Sequence, residues 1–186
     1  SFFLTLPLAS MVTIRRFVES DWDRVWEILE PVFRSGDTYT YSRNIDKEQA
    51  YNAWIALPKA TYVVEDNPDG SDTKDDETLR VVGTYYIKPN QPGQGSHVCN
   101  CGYVVDAAAS GRGLASKMCE HSQRMAVDEF GFRAMQYNCV VSTNERAVRL
   151  WQRLGFDTIG RIPKGFEHPG KGYVDALVMF KELQKQ

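Results

Sequence analysis

The chain has 186 residues, 42% of them hydrophobic, enough to bury one sizeable core and close to the usual length of one domain rather than two. Lysine plus arginine (22) nearly balances aspartate plus glutamate (24), so no broad basic field exists to hold a nucleic acid or an anionic membrane, and an anionic ligand has to be held locally. The four cysteines, Cys99, Cys101, Cys119 and Cys139, lie in apolar runs without a C-x-x-C pair, so no metal site is expected and they read as free thiols in a reducing, cytoplasmic setting.

Residues Ser1 to Ser10 carry no charge and precede Met11. The stretch is too short to span a bilayer and lacks the cationic flank of a signal peptide. Met11 is expected to be the native start, with 1–10 a tag or non-native leader and 11–186 a single domain.

Val12 to Val18 alternates as a strand does, and Ser20 with Asp23 is a capping-box variant opening a helix from Asp21 to about Phe33. Trp22, Val25, Trp26 and Leu29 fall on one face of it. A polar and aromatic loop, Gly36-Asp37-Thr38-Tyr39-Thr40-Tyr41, leads to a second helix from about Asp46 to Leu57, with Gln49 placed to complete a cap and Ala50, Ala53, Trp54 and Leu57 at helical spacing. Tyr62-Val63-Val64 is a strand, Asp66 to Glu77 an exposed acidic hairpin loop without chemical duty, and Leu79 to Lys88 the partner strand. Pro89 to Gly95 turns the chain into a fourth strand, His97 to Val105.

Next comes Ser110-Gly111-Arg112-Gly113-Leu114-Ala115 and a helix whose apolar face is Leu114, Ala115, Met118, Cys119, Ser122, Met125 and Ala126. Ala134 to Val141 is a fifth strand and Asn144 to Leu154 a fourth helix closed by Gly155. Asp157 to Ile162 and Tyr173 to Phe180 end the series. The order β-α-α-β-β-β-α-β-α-β-β predicts an α+β (α/β layered) fold, a mixed sheet of about seven strands flanked by about four helices.

A strand ending at Val105 and a turn carrying Gly-x-Gly at a helix start place unpaired backbone N–H groups at the positive end of a helix dipole, a cradle for phosphate oxygens. Glycine at 111 and 113 lets those oxygens approach the amides. A P-loop would need Gly-Lys-Ser/Thr, whereas Leu114 follows Gly113. The dinucleotide fingerprint needs a third glycine or alanine where Ser116 stands, and no acidic residue ends a strand about twenty residues later. Both are set aside.

Tyr103-Val104-Val105 through Ser110-Gly111-Arg112-Gly113-Leu114-Ala115 resembles motif A of the GNAT superfamily of N-acetyltransferases, R/Q-x-x-G-x-G/A after the fourth strand. Asn144-Glu145-Arg146-Ala147-Val148-Arg149-Leu150-Trp151-Gln152-Arg153-Leu154-Gly155-Phe156 resembles motif B, N-x-x-A-x-x-L-Y-x-x-x-G-F. The resemblance covers nearly all of Met11 to Leu183. It implies a mostly antiparallel sheet with strands four and five splayed, and acetyl-CoA as the cofactor, with no metal. In that scheme the main chain of Tyr103, Val104 and Val105 pairs with the pantetheine arm. The bend at Gly111, with the amides of Arg112, Gly113, Ala115 and Ser116, holds the pyrophosphate, and Asn144 bonds the pantetheine or cysteamine region. Without the family, Asn144 reads as a helix N-cap, and both roles are compatible.

Three positions depart from the family pattern. Ser110 replaces the usual Arg or Gln, with Arg112 as a compensating cation. Trp151 stands on the cofactor side where a tyrosine commonly protonates the leaving thiolate, and an indole N–H is no acid near neutrality. The fourth strand lacks the glutamate base, leaving His97 or a chain of waters for the amine proton. A backbone N–H near Tyr103 would stabilise the oxyanion.

A narrower resemblance, carried by His97-Val98-x-Asn100-x-Gly102-Tyr103 and Tyr137-Asn138-x-Val140-x-x-Thr143-Asn144, is to the azetidine-2-carboxylate (proline-analogue) acetyltransferases. It implies that Asn100 and Asn138 lie in the acceptor site, Asn100 with a catalytic part; an internal hydrogen-bond pair is the alternative for two buried asparagines. Tyr39, Tyr41, Phe166 and His168 are expected on loops bordering the acceptor cleft. The expected partner is a small-molecule amine, with a homodimer compatible. A protein N-terminal acetyltransferase and a CoA-binding module without chemistry are the other readings.

Overall fold

The computed structural model describes residues 11–67 and 80–183. In chain order these form β1 (Met11–Arg16), α1 (Trp22–Ser35), α2 (Lys47–Tyr51), β2 (Ala60–Asn67), β3 (Arg80–Pro89), β4 (Val98–Val105), α3 (Leu114–Asp128), β5 (Ala134–Val141), α4 (Glu145–Arg153), β6 (Asp157–His168) and β7 (Gly172–Glu182). The strands make one seven-stranded sheet in the order β1-β2-β3-β4-β5-β7-β6, antiparallel except where β4 meets β5.

The central strands are buried on both faces, so successive residues feed two cores. Tyr85 packs with Met118, Cys119, Met135, Phe156 and Met179 against α3 and α4, while Tyr86 packs with Val25, Phe33, Trp54, Val63 and Val104 against α1 and α2. The second helix keeps its expected cap: Asp46 accepts from the Gln49 N–H (2.8 Å) and Gln49 accepts from the Asp46 N–H (3.1 Å).

Several boundaries differ from the expectation. Asp21 does not begin a helix behind a Ser20 cap: its carboxylate accepts from the Val18 N–H (2.8 Å) and from the Arg15 guanidinium (2.7 and 2.9 Å), closing a 3-10 turn ahead of α1. The second helix loosens after Tyr51 into a π turn over Asn52–Ala56, where buried Trp54 donates to the Thr84 hydroxyl (3.2 Å). Asp66 and Asn67 belong to β2 and are buried, and Asp66 takes two bonds from Arg112 (2.5 and 2.9 Å). The rest of the expected acidic loop, 68–77, and Leu79 lie outside the described residues.

The last hairpin is longer than alternation suggests, and Phe166 and His168 lie on β6 rather than on a loop. The register shifts between Ile162 and Phe166, with Lys164 at φ 53°, so Pro163-Lys164-Gly165 interrupts the pattern without ending the strand. The Lys164 N–H is satisfied by Asp175 (2.9 Å).

Candidate active site

β4 and β5 pair only through Val98↔Ala134 and Cys99↔Met135, and beyond those residues they part. Asn100 sits at the vertex, donating across it to the Gln136 carbonyl (2.9 Å) and accepting from the Tyr86 hydroxyl (3.1 Å). A bulge in the β5–β7 pairing between Tyr137 and Val140 bends β5 away from β4.

The parity of β4 fixes which backbone groups face the gap. Asn90 N–H donates to Val98 C=O and Asp106 N–H to Val82 C=O (both 2.8 Å), so the even-numbered residues bond β3. Cys101, Tyr103 and Val105 therefore turn their N–H and C=O toward the gap. Val104, expected to share in pantetheine pairing, has its main chain toward β3 and its side chain in the α1–α2 core; it is removed from that set.

Above the gap the chain passes a 3-10 turn at Ala107–Ala109 and bends at Gly111 (φ 83°) and Gly113 (φ 75°). A Cβ at either glycine would meet nothing within 4 Å, so the space over the bend is open, and the positive φ explains why glycine is needed. The first helical bond of α3 runs from Lys117 N–H to Gly113 C=O (3.2 Å), which leaves the Leu114, Ala115 and Ser116 N–H groups without helical acceptors. Gly113 stands at the N-cap and supplies no side chain. This bend and the gap open into one cavity of about 490 Å³.

Two cations of α4, Arg146 and Arg153, line the cavity, and Arg146 stands at this end. The Arg146 guanidinium is 3.5 Å from the Ser110 hydroxyl, at the position where the family motif has Arg or Gln. Sequence reasoning missed it. The signal available was an arginine two residues after the Asn144 cap, but only the packing of α4 beside the bend brings it there. Arg112, expected to compensate for Ser110, instead engages Asp66 with its side chain and is not among the lining residues. Asn144 lines the cavity and caps α4, its Oδ1 accepting from the Ala147 N–H (3.2 Å).

The floor of the gap is aromatic. Trp151 packs on Tyr103 and Tyr137 with ring centroids 5.2 and 5.1 Å apart, so it both joins the core and lines the cavity. Beneath it runs a closed ring of hydrogen bonds. Ser122 donates to the Cys119 carbonyl (2.7 Å), so Tyr103 donates to Ser122 (2.7 Å) and Tyr137 to Tyr103 (3.0 Å), leaving the Cys119 thiol to donate to Tyr137 (3.5 Å). Burial pushes the Tyr103 and Tyr137 phenols well above the usual range, so all members stay neutral.

At the other end Thr38 and Tyr39 line the cavity. The Tyr39 hydroxyl donates to Tyr103 C=O (2.9 Å) and accepts from Tyr103 N–H (2.8 Å). Tyr41 stacks behind it without lining the cavity. The other expected acceptor-side residues are not lining residues either. Asn138 is exposed in the β5 bulge, donating to Asn90 (2.6 Å) and accepting from Gln136 (2.9 Å). Asn100 and Asn138 thus have separate partners rather than each other. His97 is exposed just before β4, its Nδ1 3.1 Å from Gln94 C=O. Phe166 is buried opposite Val174, and His168 at the end of β6 is near enough to Asp37 to help hold that carboxyl below its usual range, after the larger effect of the Ser35 hydroxyl.

Residues 22–156 match the sequence profile of the Acetyltransferase (GNAT) family, and the chain belongs to that family. A GCN5-related N-acetyltransferase from Kribbella flavida superposes with a TM-score of 0.81 at 38% identity, covering 92% of this chain and 98% of that one. N-acetyltransferase aca1 of Schizosaccharomyces pombe is 35% identical over 112 residues, 60% of this chain and 53% of that protein, so the match spans about half the length of that relative. The fold also matches yncA of Salmonella typhimurium, solved with its cofactor acetyl-CoA, at a TM-score of 0.76 and 22% identity over 95% of this chain and 96% of that one.

Proposed function

We propose that this protein transfers an acetyl group from acetyl-CoA to the amine of a small molecule. One observation carries the reading: β4 and β5 separate after two paired residues, and the β4 edge that β5 leaves uncovered leads directly to an open glycine bend at the start of α3. A linear ligand with an amide-bearing arm and a diphosphate fits that sequence of groups, amides along the strand and helix amides at the bend. Arg146 adds positive charge beside the bend, where phosphates would lie.

Bound acetyl-CoA would supply an activated thioester whose thiol, with a pKa of about 8.5, leaves without strong acid help. That relaxes the demand on Trp151, which can pack against the ligand but cannot donate a proton as an acid. Tyr103 and Tyr137 are poor substitutes, since each hydroxyl proton is already used within the closed ring. The Tyr103 N–H is the donor aimed into the gap for the reacting carbonyl. Among the described residues no carboxylate lines the cavity, so the amine proton leaves through water rather than to a side chain. The acceptor end, formed by Thr38, Tyr39, Cys101 and Gly102, is neutral and aromatic, which favours a compact uncharged amine over a strongly charged peptide. The unpaired thiols support a cytoplasmic setting.

A thiol-release assay with acetyl-CoA across amino acids, amino-acid analogues, simple amines and short peptides tests this. Release with small amines is expected. Release with peptides alone would assign an N-terminal acetyltransferase, and acetyl-CoA binding without release for any amine would leave a CoA-binding module, the reading favoured by the lack of a carboxylate or histidine among the described residues that line the cavity.

A further inference from the structure

The Tyr39 hydroxyl stands where a ligand group would pair with β4. A strand residue added beside a gap-facing position gives one donor and one acceptor to that residue's C=O and N–H. The Tyr39 hydroxyl does both at Tyr103, at 2.9 and 2.8 Å. The ring is backed by Phe33 (5.9 Å) and Trp54 (5.7 Å) edge to face and by Tyr41 (5.9 Å) in a stack. Its loop is tied at the base: Arg43 donates to Arg34 C=O (2.7 Å) and Arg34 to Ile45 C=O (2.8 Å). Gly36, at φ 67°, lies so close to the Arg43 side chain that a Cβ would be 2.7 Å from it. Tyr39 is therefore delivered to the gap by a braced loop. The contact also blocks the N–H that the acyl carbonyl needs, since one N–H cannot serve two acceptors well at once.

We propose that Tyr39 is an internal stand-in for the acyl group: its hydroxyl holds Tyr103 in the ligand-free protein and is displaced when the acetyl thioester takes the Tyr103 N–H. Because Tyr39 and Thr38 also wall the acceptor end, the displacement reshapes that end. The inference rests on the acetyl-CoA reading above and adds a role for this chain's own loop.

Tyr39→Phe keeps the ring and removes the competing hydroxyl. By calorimetry, the variant is expected to bind acetyl-CoA about 3- to 10-fold more tightly than the wild type, the size of a net hydrogen bond or two no longer broken. In the ligand-free protein, hydrogen exchange at the Tyr103 amide should speed up by a similar or larger factor. Equal or weaker acetyl-CoA affinity in the variant, with the wild type binding normally, overturns the stand-in alone; so does unchanged exchange at Tyr103. Absence of binding by both proteins overturns the acetyl-CoA reading together with it.

Discussion

Gly113 has a left-handed backbone and empty space above it, so any side chain placed there projects into the cavity rather than into the protein. Gly113→Trp should fill the bend and abolish acetyl-CoA binding by calorimetry, while the strain of a side chain at that φ costs about 1–2 kcal/mol and leaves the fold intact by circular dichroism. Retained affinity would count against the bend as the phosphate cradle. Arg146→Ala should weaken acetyl-CoA roughly tenfold, as loss of a charged contact to phosphate does, and the effect should shrink as salt rises. For Asn100→Ala the expected result is different in kind: the Tyr86 hydroxyl and Gln136 carbonyl lose a buried partner, costing about 1–3 kcal/mol of stability, and turnover falls with cofactor affinity nearly kept. Unchanged melting and kinetics would reduce Asn100 to a spectator.

The residues that were legible in the sequence are those whose role is local. Gly111, Gly113 and the Asn144 cap depend on backbone conformation and neighbours a few residues away, and all three line the cavity. Arg112, Arg146 and Tyr39 depend on what tertiary packing brings near. Arg112 was open to capture by Asp66, a residue read as solvent loop because its strand runs on past the apolar segment, and Tyr39 reaches β4 from 64 positions away.

Among the elements, parity on β4 decides function more sharply than composition does. One residue of register would exchange the gap-facing set, Cys101, Tyr103 and Val105, for Gly102 and Val104. Gly102 is held to glycine by Tyr86, whose ring a Cβ would approach to 2.6 Å, which fixes that face toward α1 and α2. The Asp46 cap can be tested by Asp46→Ala, which should lower stability by about 1 kcal/mol in urea without changing acetyl-CoA affinity. The order of elements along the chain and the helix count were readable from periodicity, whereas the order β5-β7-β6 within the sheet and the reach of β6 to His168 were not, the latter because a proline and a glycine inside a bulge imitate a strand end.

For the whole molecule, two cores flank one sheet, and the parted β4 and β5 leave a cavity that neither core closes. A ligand seated there would bridge strand, bend and α4, and acetyl-CoA at about 100 times its Kd should add about 2.7 kcal/mol of apparent stability. Site-resolved hydrogen exchange with and without saturating acetyl-CoA tests the central claim most directly. Slowed exchange at the Val105, Ala115 and Ser116 amides, with Val104 unchanged in its β3 pairing, is the predicted pattern. Exchange at those three amides that is indifferent to acetyl-CoA would contradict the account.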